Sequence, residues 1–351
     1  MLKENVAFIG LGACGGNIAL GFQKKNYHTL FINGSEQDNQ SLQGARNVLR
    51  LKGFDGCGGN RKNAELALAN NLDVLEEIKK IKEDIIFLVF STGGSTGSGL
   101  APIMCDLLLE LNEDGSFQKT VCCIAVLPKR TEALQKHINA YQCIQELSEK
   151  TEIGSCILID NNKMDDVMKI NAVIINLLDL FLTDESYSKR GNVDKSERLT
   201  MLEQRGALLL SKVCTSKATD LEILESLFTK SIFAPIEPDG VVEHIAVINS
   251  TEEGISVEPI KKAVGIPQNV FIGYGAKKTI TVLSGLSFPI TYLREIKENA
   301  EISYRERLKS RSSIGQLQEL NLEFAVSTPN CNSSVQKKVS RLELLRHLKI
   351  K

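Results

Sequence analysis

The chain has 351 residues, 42% of them apolar and 24% charged, with 42 Lys and Arg against 43 Asp and Glu and no tryptophan. That length fits about two domains, the apolar content excludes a disordered chain, and the balanced charge excludes a globally cationic binder of nucleic acid or membrane. No apolar run approaches the roughly 20 residues that span a bilayer.

The opening MLKENVAFIGLG passes from polar residues directly into a strand, without the apolar segment of a signal peptide. A cytoplasmic protein with no membrane partner is expected. In the first half, short apolar runs at Val6 to Leu11, Thr29 to Ile32, Ile85 to Phe90, Val121 to Leu127 and Cys156 to Ile159 read as strands buried on both faces. Between them, Gly16 to Lys25, Asn63 to Lys82, Leu100 to Leu111 and Glu132 to Lys150 read as helices. This alternation predicts an α/β fold with a mostly parallel sheet and helices on both faces.

From Met164 to Leu182, apolar residues recur at three- and four-residue steps, which predicts one long connecting helix. A smaller α/β region follows, with strands at Ala207 to Lys212, His244 to Asn249, Val270 to Tyr274 and Thr279 to Leu283, and helices at Asp220 to Lys230 and Glu258 to Val264. Thr291 to Arg311 reads as a charged helix, and STPNCNSS at 327–334 as a polar linker. From Asn332 to Lys351 the chain carries Lys337, Lys338, Arg341, Arg346, Lys349 and Lys351 against Glu343, a basic amphipathic tail. The expected divisions are a nucleotide-binding domain at 1–163, a central helix and catalytic loop at 164–206, a second α/β domain at 207–290, and a helix with the basic tail at 291–351.

Nine cysteines, Cys14, Cys57, Cys105, Cys122, Cys123, Cys143, Cys156, Cys214 and Cys331, form no C-x-x-C pair and match no histidine spacing. Neither a disulfide framework nor zinc is expected. Most read as small buried hydrophobes, with Cys14 and Cys57, inside glycine-rich loops, as the exceptions.

The first strand runs into Gly10-Leu11-Gly12-Ala13-Cys14-Gly15-Gly16-Asn17, which satisfies G-x-G-x-x-G. Glycines there let backbone N–H groups approach a phosphate, and the following helix directs its positive end at the same anion. A nicotinamide cofactor further requires an acid at the end of the second strand. Asn33, Gly34 and Ser35 stand there, with Glu36 nearby, so an NAD-dependent oxidoreductase stays an alternative.

A second glycine loop, Gly93-Gly94-Ser95-Thr96-Gly97-Ser98-Gly99, follows a second buried strand and opens a second helix. Two such loops in one sheet describe a polyphosphate cradle, with the Thr96 and Ser98 hydroxyls as further donors. Neither contains the lysine of a P-loop, so phosphate charge falls to N–H dipoles and a metal ion, for which magnesium is suited. A third loop, Gly53 to Arg61, is also glycine-rich, precedes a helix, and is placed to close over a terminal phosphate.

These loops resemble those of the tubulin/FtsZ superfamily of GTPases, whose signature is G-G-G-T-G-[ST]-G, and the order of parts agrees over roughly residues 5 to 300. The basic end and compact length make the chain most similar to the TubZ branch, which moves plasmid and phage DNA in partition. The resemblance implies GTP and GDP as ligands, with magnesium. It implies Gly12, Ala13, Cys14, Gly15, Gly16 and Asn17 as the first phosphate loop, Asn33 to Gln37 as the second, Gly53 to Asn63 as the third and Gly93 to Gly99 as the signature.

Pro128 and Glu132 keep the P-x-x-x-E spacing of a ribose-contacting loop, and Lys136 stands where cell-division relatives have arginine. Asn161 resembles the base-reading position, and Asn171 the asparagine that recognises the guanine edge, with Asn176 as second choice. Three departures are plain: Ser95 replaces a signature glycine, Ser35 replaces an acid, and the segment before the long helix is short.

Asn192, Asp194 and Glu197 resemble the family's N-x-D-x-x-D loop, with Glu for the last Asp. Two carboxylates one turn apart at a helix start can orient water, or cap the helix. In the resembling family this loop completes the site of the next subunit. A head-to-tail homopolymer is therefore implied, with an adaptor protein on centromere DNA as the partner of the basic tail. A nucleotide-binding scaffold that does not hydrolyse is a further alternative.

Overall fold

The computed structural model describes residues 2–110, 119–184, 187–214 and 218–312. The basic tail and the 327–334 linker lie outside the described residues. The first half runs β1 (Val6–Leu11), α1 (Gly12–Lys24), β2 (His28–Asn33), α2 (Glu36–Ser41), β3 (Val48–Arg50), α3 (Arg61–Ala69), α4 (Asp73–Lys79), β4 (Ile85–Ser91), α5 (Ser95–Leu109), β5 (Thr120–Leu127), α6 (Leu134–Ser148) and β6 (Ser155–Asp160). Then come α7 (Val167–Thr183), α8 (Lys195–Glu203), β7 (Gly206–Val213), α9 (Asp220–Leu224), β8 (His244–Ile248), α10 (Glu258–Val264), β9 (Asn269–Gly273), β10 (Thr279–Leu286) and α11 (Ile290–Ser312).

All ten strands join one sheet in the order β3-β2-β1-β4-β5-β6-β7-β10-β8-β9. Every pairing is parallel except those of β10, which is antiparallel to both β7 and β8. The central strands are buried except at Ser91 and Thr120, as continuous apolar runs between two helical layers must be. The join between halves is narrow: β6 meets β7 through Ser155 opposite Gly206 and Cys156 opposite Ala207. No helix among the described residues is long and apolar enough to cross a membrane.

The strand order fixes where a ligand can sit. From β1 the chain goes outward to β2 and β3, then returns to lay β4 on the other side of β1 and proceeds to β5 and β6. Right-handed crossovers in opposite directions put their helices on opposite faces of the sheet. A crevice therefore opens at the carboxyl ends of β1 and β4, between α1 and α5.

Several elements differ from the sequence expectation. The glycine loops after β1 and β4 are themselves the first turns of α1 and α5, so these helices begin at Gly12 and Ser95, not Gly16 and Leu100. Glycine disfavours helix locally, but close packing prevails. A Cβ on Gly15 would lie 2.0 Å from the Val89 carbonyl oxygen, and one on Gly99 2.5 Å from that of Arg61.

The single helix expected over Asn63 to Lys82 is two, α3 and α4. At the break, buried Asn71 donates to the carbonyls of Ala67 (2.8 Å) and Lys52 (3.1 Å) and accepts from the Lys52 amide (2.8 Å). Its side-chain amide thus satisfies the Ala67 carbonyl, which the break leaves without its helical partner, and ties the break to the Lys52 backbone. Asp220 to Lys230 is α9 followed by one π turn at Glu225–Thr229.

The long helix α7 buries Ile170, Ile174, Leu177, Leu178, Phe181 and Leu182 and lies parallel to α1. A Cβ on Gly21 would meet Ile175 Cδ1 at 2.2 Å, and four residues on in both helices Lys25 Nζ pairs with Asp179 at 2.8 Å. α11 packs along α6, with the Lys297 ammonium 5.0 Å from the Tyr141 ring centre.

Replacing Gly15 by alanine drives a methyl group into a backbone carbonyl that cannot move without breaking the β1–β4 ladder. The expected loss is about 3 kcal/mol or more, read as a lower midpoint in denaturant unfolding. A stability equal to the parent chain would refute this packing.

Candidate functional site

The crevice between α1 and α5 holds the two loops singled out in the sequence. Gly12, at φ +70°, brings the first loop against the second: a Cβ there would sit 3.4 Å from Thr96 Cβ and 3.6 Å from the Gly97 nitrogen. Ala13 and Asn17 are exposed and Cys14 half-buried on one side, with Gly94, Ser95 and Thr96 half-exposed on the other. Gly16 is held against Leu42.

The four signature glycines have separate reasons. Gly97 is pressed between Phe90 Cβ (2.9 Å) and the Leu11 carbonyl (3.1 Å), Gly99 against α3, and Gly93 against Lys136 and Pro128 at 3.1–3.2 Å. Gly94 has no such reason. Its backbone is ordinary (φ −73°, ψ 148°), and no atom comes nearer than 3.8 Å to its Cβ position. A Cβ there would meet only Ser91, at 3.8–4.0 Å, so neither packing nor backbone conformation calls for glycine, while close approach of a ligand to the backbone would.

Helix capping points the same way. α2, α3, α7, α8 and α9 are capped by the side chains of Ser35, Asn60, Asp166, Asp194 and Thr219. The helices that open from the crevice, α1, α5 and α6, have Leu11, Gly94 and Ala133 at the cap, with no side-chain bond, as have the seven-residue helices α4 and α10 elsewhere. In α1, α5 and α6 the first N–H groups are left for an anion. Ser98 contributes no hydroxyl to that anion, in contrast to the sequence expectation, because it is buried and its Oγ donates to the Gly94 carbonyl. Thr96 Oγ1 donates to Cys57 Sγ at 3.6 Å.

The sugar-side residues stand beside the first loop. Glu132 Oε1 accepts from the Lys129 amide at 2.9 Å, and its other oxygen pairs with Lys136. Burial acts to raise this carboxyl's pKa, but the Lys136 and Lys129 bonds outweigh it and hold it below the usual range. Burial, with Glu132 adding and Lys136 opposing, pushes the Cys14 thiol up to about 12. It is a neutral wall of the loop rather than a nucleophile.

At the other end of the crevice, Asn161 follows β6, and its Oδ1 is buried with no hydrogen-bond partner. An orphaned acceptor of this kind suits an absent donor. The neighbouring Asn162 is fully engaged with Asp160, Pro128 and Arg130. One turn before the Gly21–Ile175 and Lys25–Asp179 contacts, the same register places Asn17 and Asn171 at the top of the seam, Asn17 exposed and Asn171 half-buried. Asn176 is exposed away from it.

Asn33 is buried at the end of β2 and donates to Asp38 at 3.1 Å, while Ser35 caps α2. Glu36, the acid a nicotinamide site would use, pairs with Arg50 at 3.1 Å. Among the described residues no three His, Cys, Asp or Glu side chains gather to hold a metal. The crevice offers hydroxyl and N–H donors rather than a carboxylate cage, which suits a magnesium ion carried by phosphate oxygens and water.

The acids of the 192–197 loop lie elsewhere. Asp194 Oδ1 accepts from the Glu197 amide and Glu197 Oε2 from the Asp194 amide, both at 2.9 Å, forming a capping box on α8. Asn192 accepts from the Ser188 amide at 2.8 Å. The adjacent Lys195 donates to Asn5 at 2.9 Å, at the amino end of β1. β1 separates that end from the glycine loops, so six residues of strand put the acids about 20 Å from the cradle of their own chain.

Two residues that pattern did not single out hold the loops together. Arg61 donates through Nε and Nη2 to the Ser98 carbonyl (3.2 and 2.9 Å) and through Nη1 and Nη2 to Glu146 (2.9 and 2.7 Å). Asn139 on α6 donates to the carbonyls of Gly59 (3.1 Å) and Gly93 (3.2 Å). On sequence alone both read as polar faces of amphipathic helices. Their signal was only their nearness to a glycine loop or a ribose loop.

The sequence profile of the tubulin/FtsZ family GTPase domain matches residues 5–169. The tubulin-like protein TubZ of Clostridium botulinum C phage is 30% identical over 315 residues, which cover 87% of this chain and 86% of that one. The tubulin-like protein CetZ of Pyrococcus horikoshii is 27% identical, covering 86% and 94%. The solved structure of Clostridium botulinum phage c-st TubZ with its C-terminal tail truncated superposes with a TM-score of 0.75 at 28% identity, covering 87% of this chain and all of that one.

Gly94→Ala should leave unfolding within about 0.5 kcal/mol of the parent, since a Cβ there meets only Ser91, at ordinary contact distance, yet weaken GTP binding at least about tenfold by filling the approach to the backbone. Calorimetry and denaturant titration read the two separately. A second expectation concerns pH. Burial lowers the pKa of His137, whose Nε2 lies 3.2 Å from the Glu132 carbonyl. The unfolded chain then takes up the proton more readily, so this contribution to stability is whole above about pH 6.5 and is lost as the pH falls below it. His137→Gln should flatten the fall in melting temperature between pH 7 and pH 5.

Proposed function

The chain belongs to the tubulin/FtsZ family of GTPases, and on that premise we propose that it cuts GTP in a site made by two subunits of a head-to-tail filament. The observation that carries the reading is the separation of Asp194 and Glu197 from the cradle of their own chain by the length of β1. A second copy stacked along the strand axis would bring one end of the molecule to the other. Such a contact is heterologous and does not close, so it propagates.

In this reading Asn171 and Asn161 hold the guanine base, Glu132 the ribose and Asn33 the neighbouring loop, with Lys136 neutralising Glu132. The N–H groups of Gly12 to Asn17 and of Gly93 to Gly99 cradle the phosphates, and Thr96 closes the side toward the third loop. Magnesium, when bound, neutralises charge building on the phosphate oxygens. From the next subunit, Asp194 and Glu197, aided by Asn192, orient a water in line with the γ-phosphate and accept its proton as the bond to the leaving GDP breaks. Both acids keep an exposed edge while capping α8, which holds them rigid before a neighbour arrives.

The assignment to plasmid or phage DNA segregation rests on similarity to the phage TubZ, while CetZ proteins match over a like share of the chain. The basic segment from Asn332 to Lys351 supplies charge for an adaptor bound to centromere DNA.

Asp194→Asn separates catalysis from folding because the amide oxygen can still cap α8. Filaments should form with GTP and magnesium, as light scattering reads, while phosphate release falls about 100-fold or more. Full hydrolysis by this variant, or by the parent chain diluted below its assembly concentration, would refute the shared site. Binding without hydrolysis by assembled parent chain would favour a scaffold. Removing Asn332 to Lys351 should weaken partner binding or bundling and leave GTP affinity unchanged; loss of GTP binding would refute the tail assignment.

A further inference from the structure

The third loop, Gly53 to Asn60, is short of packing. Gly53, Gly56, Gly58 and Gly59 all have positive φ, and none has an atom within 4 Å of its Cβ position. On its outer side the loop borders a polar groove of about 700 Å³ between α3 and α6, walled by Gly58, Gly59, Asn60, Asn139 and Glu146 among others. Cys57 is buried in the core and Phe54 packs against it, so the apolar anchors lie before the tip, and the tip at Gly58 and Gly59 depends on directed bonds.

Asp55 accepts from the Glu36 amide and the Cys57 carbonyl from Asn60 and Asn63, while the bond at the tip comes from Asn139. Its side chain is buried, and its single Nδ2 spends one hydrogen on the Gly59 carbonyl of the third loop and the other on the Gly93 carbonyl of the signature loop. Its Oδ1 accepts from Gln135 Nε2 at 2.9 Å, which fixes which way the amide faces. Every hydrogen of the amide nitrogen is therefore used to join the two loops. Among the described residues two other side-chain links join these segments: the long bond from Thr96 to Cys57, and the bonds from Arg61, where the third loop enters α3, to the Ser98 carbonyl.

The crevice has a direction. The α1–α7 seam with Asn17 and Asn171 marks its base end on one face of the sheet, whereas the third loop leads into α3, which packs against α5 on the other face. The tip at Gly58 and Gly59 thus lies toward the terminal phosphate of a nucleotide whose base meets the seam.

We infer that Asn139 is a positioning residue that holds the third loop over the terminal phosphate, and so sets the preference of the site for GTP over GDP. The inference rests on the nucleotide reading above. Asn139 touches no substrate; it acts through the Gly59 and Gly93 carbonyls.

Asn139→Asp keeps size and shape but turns the two donors into an acceptor facing two carbonyl oxygens. In the full chain with magnesium, GTP should bind about tenfold more weakly, as the loss of the hydrogen bonds that join the two loops implies, while GDP affinity changes less than about twofold. Hydrogen exchange at 53–60 should speed up in the GTP-bound variant and not in the remainder of the cradle. Asn139→Ala, which removes the donors without adding charge, should reproduce the loss should the aspartate variant fail to fold. Equal weakening of GTP and GDP, or unchanged affinity and exchange in a folded variant, would overturn the clamp and leave the GTPase reading standing. A parent chain that binds neither nucleotide would overturn both.

Discussion

The cradle depends on one carbonyl group, that of Ser98. In an α-helix it would accept the amide of the residue four positions on, but that residue is Pro102, which has no N–H to give. A proline eight residues into a helix should cost about 3 kcal/mol and bend it. Here the vacated acceptor is taken by the Arg61 guanidinium, whose remaining donors hold Glu146 on α6. The missing backbone bond is thereby exchanged for a charge-assisted one that reaches another element. Three helices are pinned at the point where α5 presents its amino end to the crevice. Gly99 is part of the same arrangement, because any side chain there would strike the Arg61 carbonyl.

From that fixed point the remainder of the site follows by contact. α5 sets Thr96 and Gly97 opposite Gly12, α6 sets Asn139 between two loop carbonyls, and the first turn after β5 sets Glu132 beside the first loop. On the opposite face α1 and α7 run in register for about one turn, from Gly21 and Ile175 to Lys25 and Asp179, and the same register carries Asn17 and Asn171 to the same end of the sheet. The binding surface is thus built at a reversal of strand order, by helices that were free to leave their amino ends uncapped.

What the sequence disclosed and what it hid divide along a physical line. The strands of the first half were legible because an apolar run such as Ile85 to Phe90 has no other place than a sheet covered on both faces. Asp194 and Glu197 were legible as a helix start. The starts of α1 and α5 were not, because glycine-rich segments carry no local preference for helix and acquire it from neighbours distant in sequence, Val89 for Gly15 and Arg61 for Gly99. Arg61 and Asn139 were hidden for a related reason. A polar residue on an amphipathic helix gives no sign of whether it faces water or a carbonyl, and the three-residue edge strand Val48–Arg50 is too short to show alternation. Ser98 was misread because a hydroxyl in a phosphate loop has two possible acceptors, and the helix supplied one first.

The capping box on α8 bears on how a split site avoids idle hydrolysis. Two carboxylates held one turn apart repel each other, and in an unanchored loop they would spread into solvent. Each here accepts the backbone N–H at the root of the other, so the helix start offsets the repulsion and fixes both groups before any substrate is near. A rigid pair needs no reorganisation when charge develops on an attacking water, which is what makes preorganised groups effective. Held about 20 Å from the cradle of their own chain, the same pair cannot reach it. Under the proposed reading, activity becomes a property of the contact between copies: each subunit added to a filament would supply the acids for the nucleotide it covers while its own nucleotide waits for the next.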